Sequence, residues 1–452
     1  MDSNILGSEK ISKLLLKMSI PATVGMIVNG LYNVVDTIFI GRGVGPLAIG
    51  GITVAFPIQL IVMAFAFMVG IGTGSSVSRN LGKKDFEAVK GLIANSFILT
   101  FIISFTISIL LYFNIDSILR LFGATDTLIV YSKEYMSVII FGIIFYSIAV
   151  NGYNIVRAHG KAKAAMFSMI IGTGLNIILD PIFIFVFKLG IRGAAFATII
   201  SQFCSFVYVI IVLLKSKEIV KAGKSDFKFN SKYASEILKV GFPSFMRQVT
   251  GSLIALVVNN SIVRFGGDIA LSAYGVINRV IMFSFMPMFG VVQGAQPIIG
   301  YNYGASKNER VIETIKIAIK FLVAYASIVT ISILLFSNSI FGLFTDDPVV
   351  GEIGVSAMRI IVIAIPIIGI QVISSSVYQA LGYAKQALFL VMLRQVMLLL
   401  PLILIIPNIF GLELMGVWVS FPISDLIATF ISSFMLKGQI NKFRSENVSV
   451  SS

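Results

Sequence analysis

Charge is scarce in this sequence, and so are the residues that hold metals or form disulfides. Only 12% of its 452 residues are charged. A soluble domain carries about 25%, so an ordinary water-soluble globule is excluded. The one cysteine, Cys204, lies inside an apolar run, and no intrachain disulfide can form. With one histidine, His159, there is no His/Cys metal cluster and no histidine relay. The glycine run at 70–76 lacks the Gly-Lys-Ser/Thr ending of a phosphate loop and sits in an apolar stretch. No nucleophile arrangement and no ATP motif appears. The chain is therefore not read as an enzyme, and no cofactor is expected beyond a coupling ion. The N-terminus, MDSNILGSEKISK, has no signal-peptide core, so the first apolar run is expected to target the chain to the membrane.

Hydrocarbon is what the sequence has in plenty. Hydrophobic residues make up 57%, and the mean hydropathy is +0.95. Apolar runs of about 20 residues span a bilayer as helices. They occur at 19–40, 48–78, 92–113, 136–156, 164–187, 193–214, 241–263, 270–300, 315–336, 358–381, 387–410 and 413–436. Barrel strands would be shorter and would alternate. The expectation is an all-α integral membrane protein of twelve transmembrane helices. Pro287 predicts a bend in the eighth.

The net charge of +14 does not point to nucleic acid, because its distribution follows the membrane. Alternate loops hold most of the 35 Lys and Arg, among them Lys83, Lys84, Lys90, Arg157, Lys161 and the basic segment 215–239. The opposite loops hold Arg42, Arg120, Lys133, Lys188, Arg192 and Arg264. This bias predicts a protein of the bacterial cytoplasmic membrane with both termini cytoplasmic, its basic surface meeting anionic lipid. A monomer is expected.

The sequence repeats at a constant shift of 222 residues. Pro21 matches Pro243, Gly72 matches Gly294, Asn80 and Gly82 match Asn302 and Gly304, and Gly160 and Lys163 match Gly382 and Lys385. Six spans per half is an even number, so the halves are parallel, related by a pseudo-twofold axis along the membrane normal. The predicted parts are an N-lobe (1–214), a cytoplasmic linker (215–239) and a C-lobe (240–452). Two lobes meeting at a cleft can rock and expose it to either side.

Against this apolar background two carboxylates stand out, Asp36 in GLYNVVDTIFIG and Asp180 in LNIILDPIFIF. An acid in hydrocarbon is costly and is usually kept for a task. Asp36 lies roughly 22 Å along its span from Pro21, and Asp180 roughly 24 Å into its own, on the same side of the midplane. Asn176 is one turn before Asp180, and Thr198 sits at similar depth in the next span. These four offer hard oxygen ligands for Na⁺, and two adjacent carboxylates would also share a proton. The same four residues serve H⁺ or Na⁺ coupling. Pro181 predicts a kink that frees a backbone carbonyl. Asn29, Asn33 and Gln202 add polar groups that serve equally well as interhelical hydrogen bonds. The stretch MFSFMPMFG, with Met282, Phe283 and Met286, offers an adaptable apolar wall for organic cations, or ordinary packing.

In their order, the first-span aspartate, RNLGKKDFE, NIILDP and GIRGAAFAT resemble a bacterial multidrug and toxic compound extrusion (MATE) transporter, over nearly the whole chain. The resemblance implies export of organic cations and other drugs, driven by H⁺ or Na⁺, with the N-lobe site at Asp36, Asn176, Asp180 and Thr198, and Asn151 as a further polar member. It also shows a departure. Some members carry acids in spans seven and ten, where this chain has Asn259, Asn260, Gln371 and Gln379. Its buried C-lobe acid is Asp425, for which Arg279 or Arg394 is a candidate partner. The alternative is a lipid-linked oligosaccharide flippase of related fold, which would line its cavity with cations.

Overall fold

The computed structural model describes residues 5–216, 222–345, 347–409 and 411–451, with only the backbone of Asn33, Lys224 and 447–451. All the regular structure among these residues is helical. In chain order the long helices are α1 (Ile11–Gly43), α2 (Pro46–Gly82), α3 (Phe86–Leu121), α4 (Leu128–Ala158), α5 (Ala162–Val186) and α6 (Gly190–Lys215). Next come α7 (231–266) and α8 (268–304), one continuous run broken at Gly267. They are followed by α9 (Asn308–Gly342), α10 (Pro348–Leu381), α11 (Ala384–Ile409) and α12 (Glu413–Glu446). Each apolar run falls on one helix. Apolar side chains such as Phe113, Leu335 and Phe434 remain exposed on the outside, as they must in a protein solvated by lipid tails. The chain is an integral membrane protein.

The 222-residue repeat recurs in the backbone. Gly45 and Gly267 both have positive φ (118° and 67°), as do Lys84 and Ser306 (58° and 56°) and Gly160 and Gly382 (81° and 85°). Each pair occupies the same turn of its half. At Gly267 the positive φ lets the chain reverse between α7 and α8 without the strain a Cβ would add. Asn80 and Asn302 also match, each donating to the carbonyl four residues back (Ser76 and Ile298).

Helices α1–α6 pack as one lobe and α7–α12 as the other. The seam between them is made by α1 and α2 against α7 and α8. Gly72, Gly82, Gly241 and Gly304 each face backbone of the opposite lobe so closely that a Cβ would overlap it. Small residues serve this purpose in membrane interiors, where close backbone approach supplies the packing energy. The glycine run at 70–76 therefore finds its role in packing.

The polar contacts between lobes lie on the face that carries both chain ends. Arg79 donates to Glu236 Oε1 (2.9 Å) and to the Ala380 carbonyl (3.1 Å). Asn302 donates to the Leu6 carbonyl (2.8 Å), Lys307 to that of Gly7 (2.9 Å), and Gln296 to Ser75 Oγ (2.9 Å). The seam continues to Gly30 against Met286 and Phe65 against Phe245. Deeper in the seam Gln293 of α8 accepts from Arg157 of α4 and donates to Met26 Sδ of α1.

Candidate cation site and adjoining cavity

Asp36 comes from α1, Asn176 and Asp180 from α5, and Thr198 from α6. Proline at 181 removes an N–H donor, and α5 continues past it as a π turn, Ile182–Val186, of the kind often found at functional positions. The four side chains are buried, Asp180 completely. Asn176 Nδ2 donates to Asp180 Oδ1 (3.2 Å) and to Thr198 Oγ1 (3.1 Å). Thr198 in turn donates to the Ala194 carbonyl (3.0 Å). The carboxyls of Asp36 and Asp180 lie within hydrogen-bonding reach of each other.

Three acceptor oxygens here are buried without a partner: Asp36 Oδ1, Asp180 Oδ2 and Asn176 Oδ1. Buried polar atoms are normally satisfied, and an unpartnered cluster needs an explanation such as a bound ion or proton. The donor set is all oxygen, suited to a hard cation. Among the described residues no three of His, Cys, Asp and Glu come together.

Two tyrosines complete the cluster. Tyr32, on α1, meets the Thr198 hydroxyl and lies beside both carboxylates. Tyr135, on α4, neighbours the same groups, and its hydroxyl accepts from Gln59 Nε2 of α2 (3.2 Å). Tyr32 had a signal in the sequence, one helical turn before Asp36. Tyr135 and Gln59 had none, because only the packing of α2 and α4 brings them here.

Thr198 and Tyr32 also form part of the wall of a 340 Å³ cavity in the N-lobe, closed on one side by α8. Gln202, Met282 and Met286 line it, as do Asn29, Asn154, Arg157, Gln293 and Gln296. Other expected members lie elsewhere. Asn151 does not line the cavity: its amide donates to Ser96 Oγ of α3 (2.9 Å), and its Oδ1 is buried without a partner. Phe283 touches the Gly30 region of α1 but does not line the cavity. Asp425 is engaged by Arg394 in a C-lobe ion pair between α11 and α12, where its charge is compensated. The side chain of Asn33 lies outside the described residues, as do 217–221 of the basic segment. Arg157, read as a loop residue, is instead buried at the end of α4, as is the neighbouring His159.

Two packed helical lobes, a cavity of drug size and an enclosed carboxylate pair define a polytopic membrane transporter. The chain belongs to the MatE family, whose sequence pattern matches residues 21–182 and again 243–405, once in each half. It is 27% identical to a "Multidrug export protein MepA" of Staphylococcus aureus (strain MRSA252), over 88% of each chain. Against the MepA of Staphylococcus haemolyticus the identity is 26%, over 97% of this chain and 96% of the other. The outward-facing structure of a multidrug resistance MATE family transporter superposes with a TM-score of 0.93 at 28% identity, covering 98% and 99% of the two chains. A transporter of the same superfamily from Pyrococcus furiosus, described as having a binding pocket of reverse polarity that suggests a different function, superposes at 0.91, also at 28% identity and with 98% of each chain covered.

Proposed function

We propose that this chain is a secondary active multidrug exporter, coupling inward movement of H⁺ or Na⁺ to outward movement of organic cations and other drugs by alternating access. The observation that carries the reading is the set of unpartnered buried oxygens at Asp36, Asn176 and Asp180, next to Tyr32 and Thr198, which also line a drug-sized cavity. Two neighbouring carboxylates in a buried site need a proton or a cation between them. Asp36, Asn176, Asp180 and Thr198 would hold it, and it would supply positive charge and nothing more. Binding there competes with the arrangement of Tyr32 and Thr198, and so with the cavity wall.

On this reading the N-lobe (1–214) and C-lobe (240–452) rock about the glycine-rich seam. The segment 215–239 is a cytoplasmic linker, both termini are cytoplasmic, and the unit is a monomer in contact with anionic lipid. The structure then corresponds to a state closed toward the cytoplasm. The flippase alternative is less well supported. It calls for several cations on the cavity wall, and one is there. Arg247 is engaged by Ser375, Arg359 by Ser337 and Arg394 by Asp425.

The test is export of a fluorescent cationic dye from proteoliposomes under an imposed Na⁺ gradient or an imposed pH gradient. The parent should respond to one of them. Asp36→Asn and Asp180→Asn should each abolish the response, and export at the parental rate by both variants would sink the site.

A further inference from the structure

Helices α1, α8 and α9 enclose a second cavity, of 420 Å³, that shares no residue with the one in the N-lobe. Leu16, Ile20 and Val24 of α1 form one wall and Phe321 and Tyr325 of α9 the other, with Pro287 of α8 between them. Leu16, Ile20, Val24 and Phe321 are exposed, so the cavity is a groove that opens sideways, away from the protein. The apolar runs of α1 and α9 begin at 19 and 315, which sets most of this opening against hydrocarbon. From Ser12 to Val24 the groove runs about 18 Å along α1, close to the roughly 15 Å of one leaflet's hydrocarbon. Its shape and its surroundings suit an acyl chain.

Two further observations say what kind of lipid. Ser19 forms part of the wall and is 4% exposed, yet its hydroxyl has no hydrogen-bond partner. A buried hydroxyl is normally satisfied. Ser19 stands where the apolar run of α1 begins, at the depth of a glycerolipid's ester carbonyls, which accept hydrogen bonds. Charge gathers at the same end. Lys13 and Lys17 follow the lining residues Ser12 and Leu16, and Lys316 and Lys320 precede Ile317 and Phe321. Glu9 lies near both lysines of α1 (3.7 and 3.2 Å), and Glu313 stands one turn before Ile317. Among the described residues no carboxylate is within ion-pair distance of Lys316 or Lys320. Four lysines against two carboxylates leave this end positive, and long lysine side chains on a helix surface reach to the headgroup level.

We propose that this groove binds one anionic glycerophospholipid from the leaflet on the side of the chain ends. Its phosphate lies between the lysines of α1 and α9, an ester carbonyl accepts from Ser19, and one acyl chain follows Ile20, Val24 and Phe321 toward Pro287. Because α1 belongs to one lobe and α8 and α9 to the other, the lipid bridges the seam. The site makes no use of Asp36 or Asp180, so its test is independent of ion-driven export.

The purified full chain, in phosphatidylcholine nanodiscs, is irradiated with a trace of phosphatidylglycerol carrying a diazirine on one acyl chain, and labelled peptides are read by mass spectrometry. Labelling of 19–24 and 317–325 should exceed that of the lipid-facing stretch of α3 around Phe101 and Phe105 by threefold or more. The same diazirine chain on phosphatidylcholine should show a smaller excess. Lys316→Gln with Lys320→Gln should lower the phosphatidylglycerol excess by threefold or more, toward the roughly tenfold worth of a charge-assisted hydrogen bond. Ser19→Ala should lower groove labelling with both headgroups, since the ester is common to both. It should leave the thermal midpoint in lipid-free detergent unchanged, because the hydroxyl it removes has no partner there. Even labelling of the groove and α3 overturns the inference. So does an excess that is equal for the two headgroups or unchanged in the double Gln variant. Groove labelling below that of α3 means that another occupant, such as a second copy of the chain, covers this face, and overturns it as well.

Discussion

Helices α1 and α8 meet across the lobe seam through two pairs of small residues, Ser19 and Thr23 facing Gly294 and Gly290. A Cβ added at Gly294 would lie 2.8 Å from the backbone nitrogen of Ser19 and 2.9 Å from its Cα. At Gly290 the corresponding distances to Thr23 are 2.8 Å and 2.7 Å. Ordinary contact begins at 3.4 Å, and backbone atoms of a helix cannot turn aside. Either Gly→Ala change therefore has to push the helices about 0.6 Å apart. Overpacking of this kind costs about 1–3 kcal/mol.

Both clashes lie on one face of α8, a single turn apart, so the shift that relieves one relieves most of the other. Gly290→Ala and Gly294→Ala together should cost at least about 1 kcal/mol less than the sum of the two singles. Equilibrium unfolding of the purified protein in mixed detergent, run as a double-mutant cycle, measures this. Singles that cost less than about 0.5 kcal/mol, or a strictly additive double, would refute the close-packed seam.

Further outcomes are expected elsewhere. Asn176→Leu removes the amide that bridges Asp180 and Thr198, so it should abolish ion-driven dye export while leaving the fold's helix content unchanged by circular dichroism. Asp425→Asn strands Arg394 in the C-lobe and should cost about 3–5 kcal/mol in unfolding free energy. The double change Asp425→Leu with Arg394→Met should recover most of that loss. His159 is fully buried with its Nδ1 on the Ile155 carbonyl, and desolvation pushes its imidazole down to about 4. The unfolded chain takes up that proton below about 6.5 and the folded chain only below about 4. Stability should therefore be full above pH 6.5 and fall through this window, by about 2 kcal/mol at pH 5. His159→Gln should remove that part of the acid sensitivity, and unfolding of both proteins at pH 7 and pH 5 gives the difference.

The sequence made the membrane spans legible because a bilayer leaves the backbone no choice but helix. A run of apolar residues, as at 92–113 or 315–336, is then enough to place one. The repeat was legible too, in identities at a constant shift such as Gly72 and Gly294, Asn80 and Asn302, and Gly160 and Gly382, and the backbone turns at Gly45 and Gly267 and at Lys84 and Ser306 recur with it. Asp36, Asn176, Asp180 and Thr198 could be singled out because polarity in hydrocarbon is rare and helix rise converts position into depth. Depth does not fix the direction a side chain faces, and the amide of Asn151 donates to Ser96 of α3 rather than lining the cavity.

By itself, then, the sequence determined the class of solvent, the helices, their twofold repetition and the depth of each lone polar group. These follow from composition and from the fixed 1.5 Å rise of a helix. The tertiary structure alone decided rotation and neighbourhood. It set Tyr32 and Tyr135 against the carboxylates, gave Asp425 its partner in Arg394, and closed the seam on Gly290 and Gly294. It also turned Arg157, one cation among many in a basic sequence, into the single charge on the cavity wall. Which face of a helix meets which neighbour depends on packing between segments far apart in the chain, and periodicity within one segment cannot encode it.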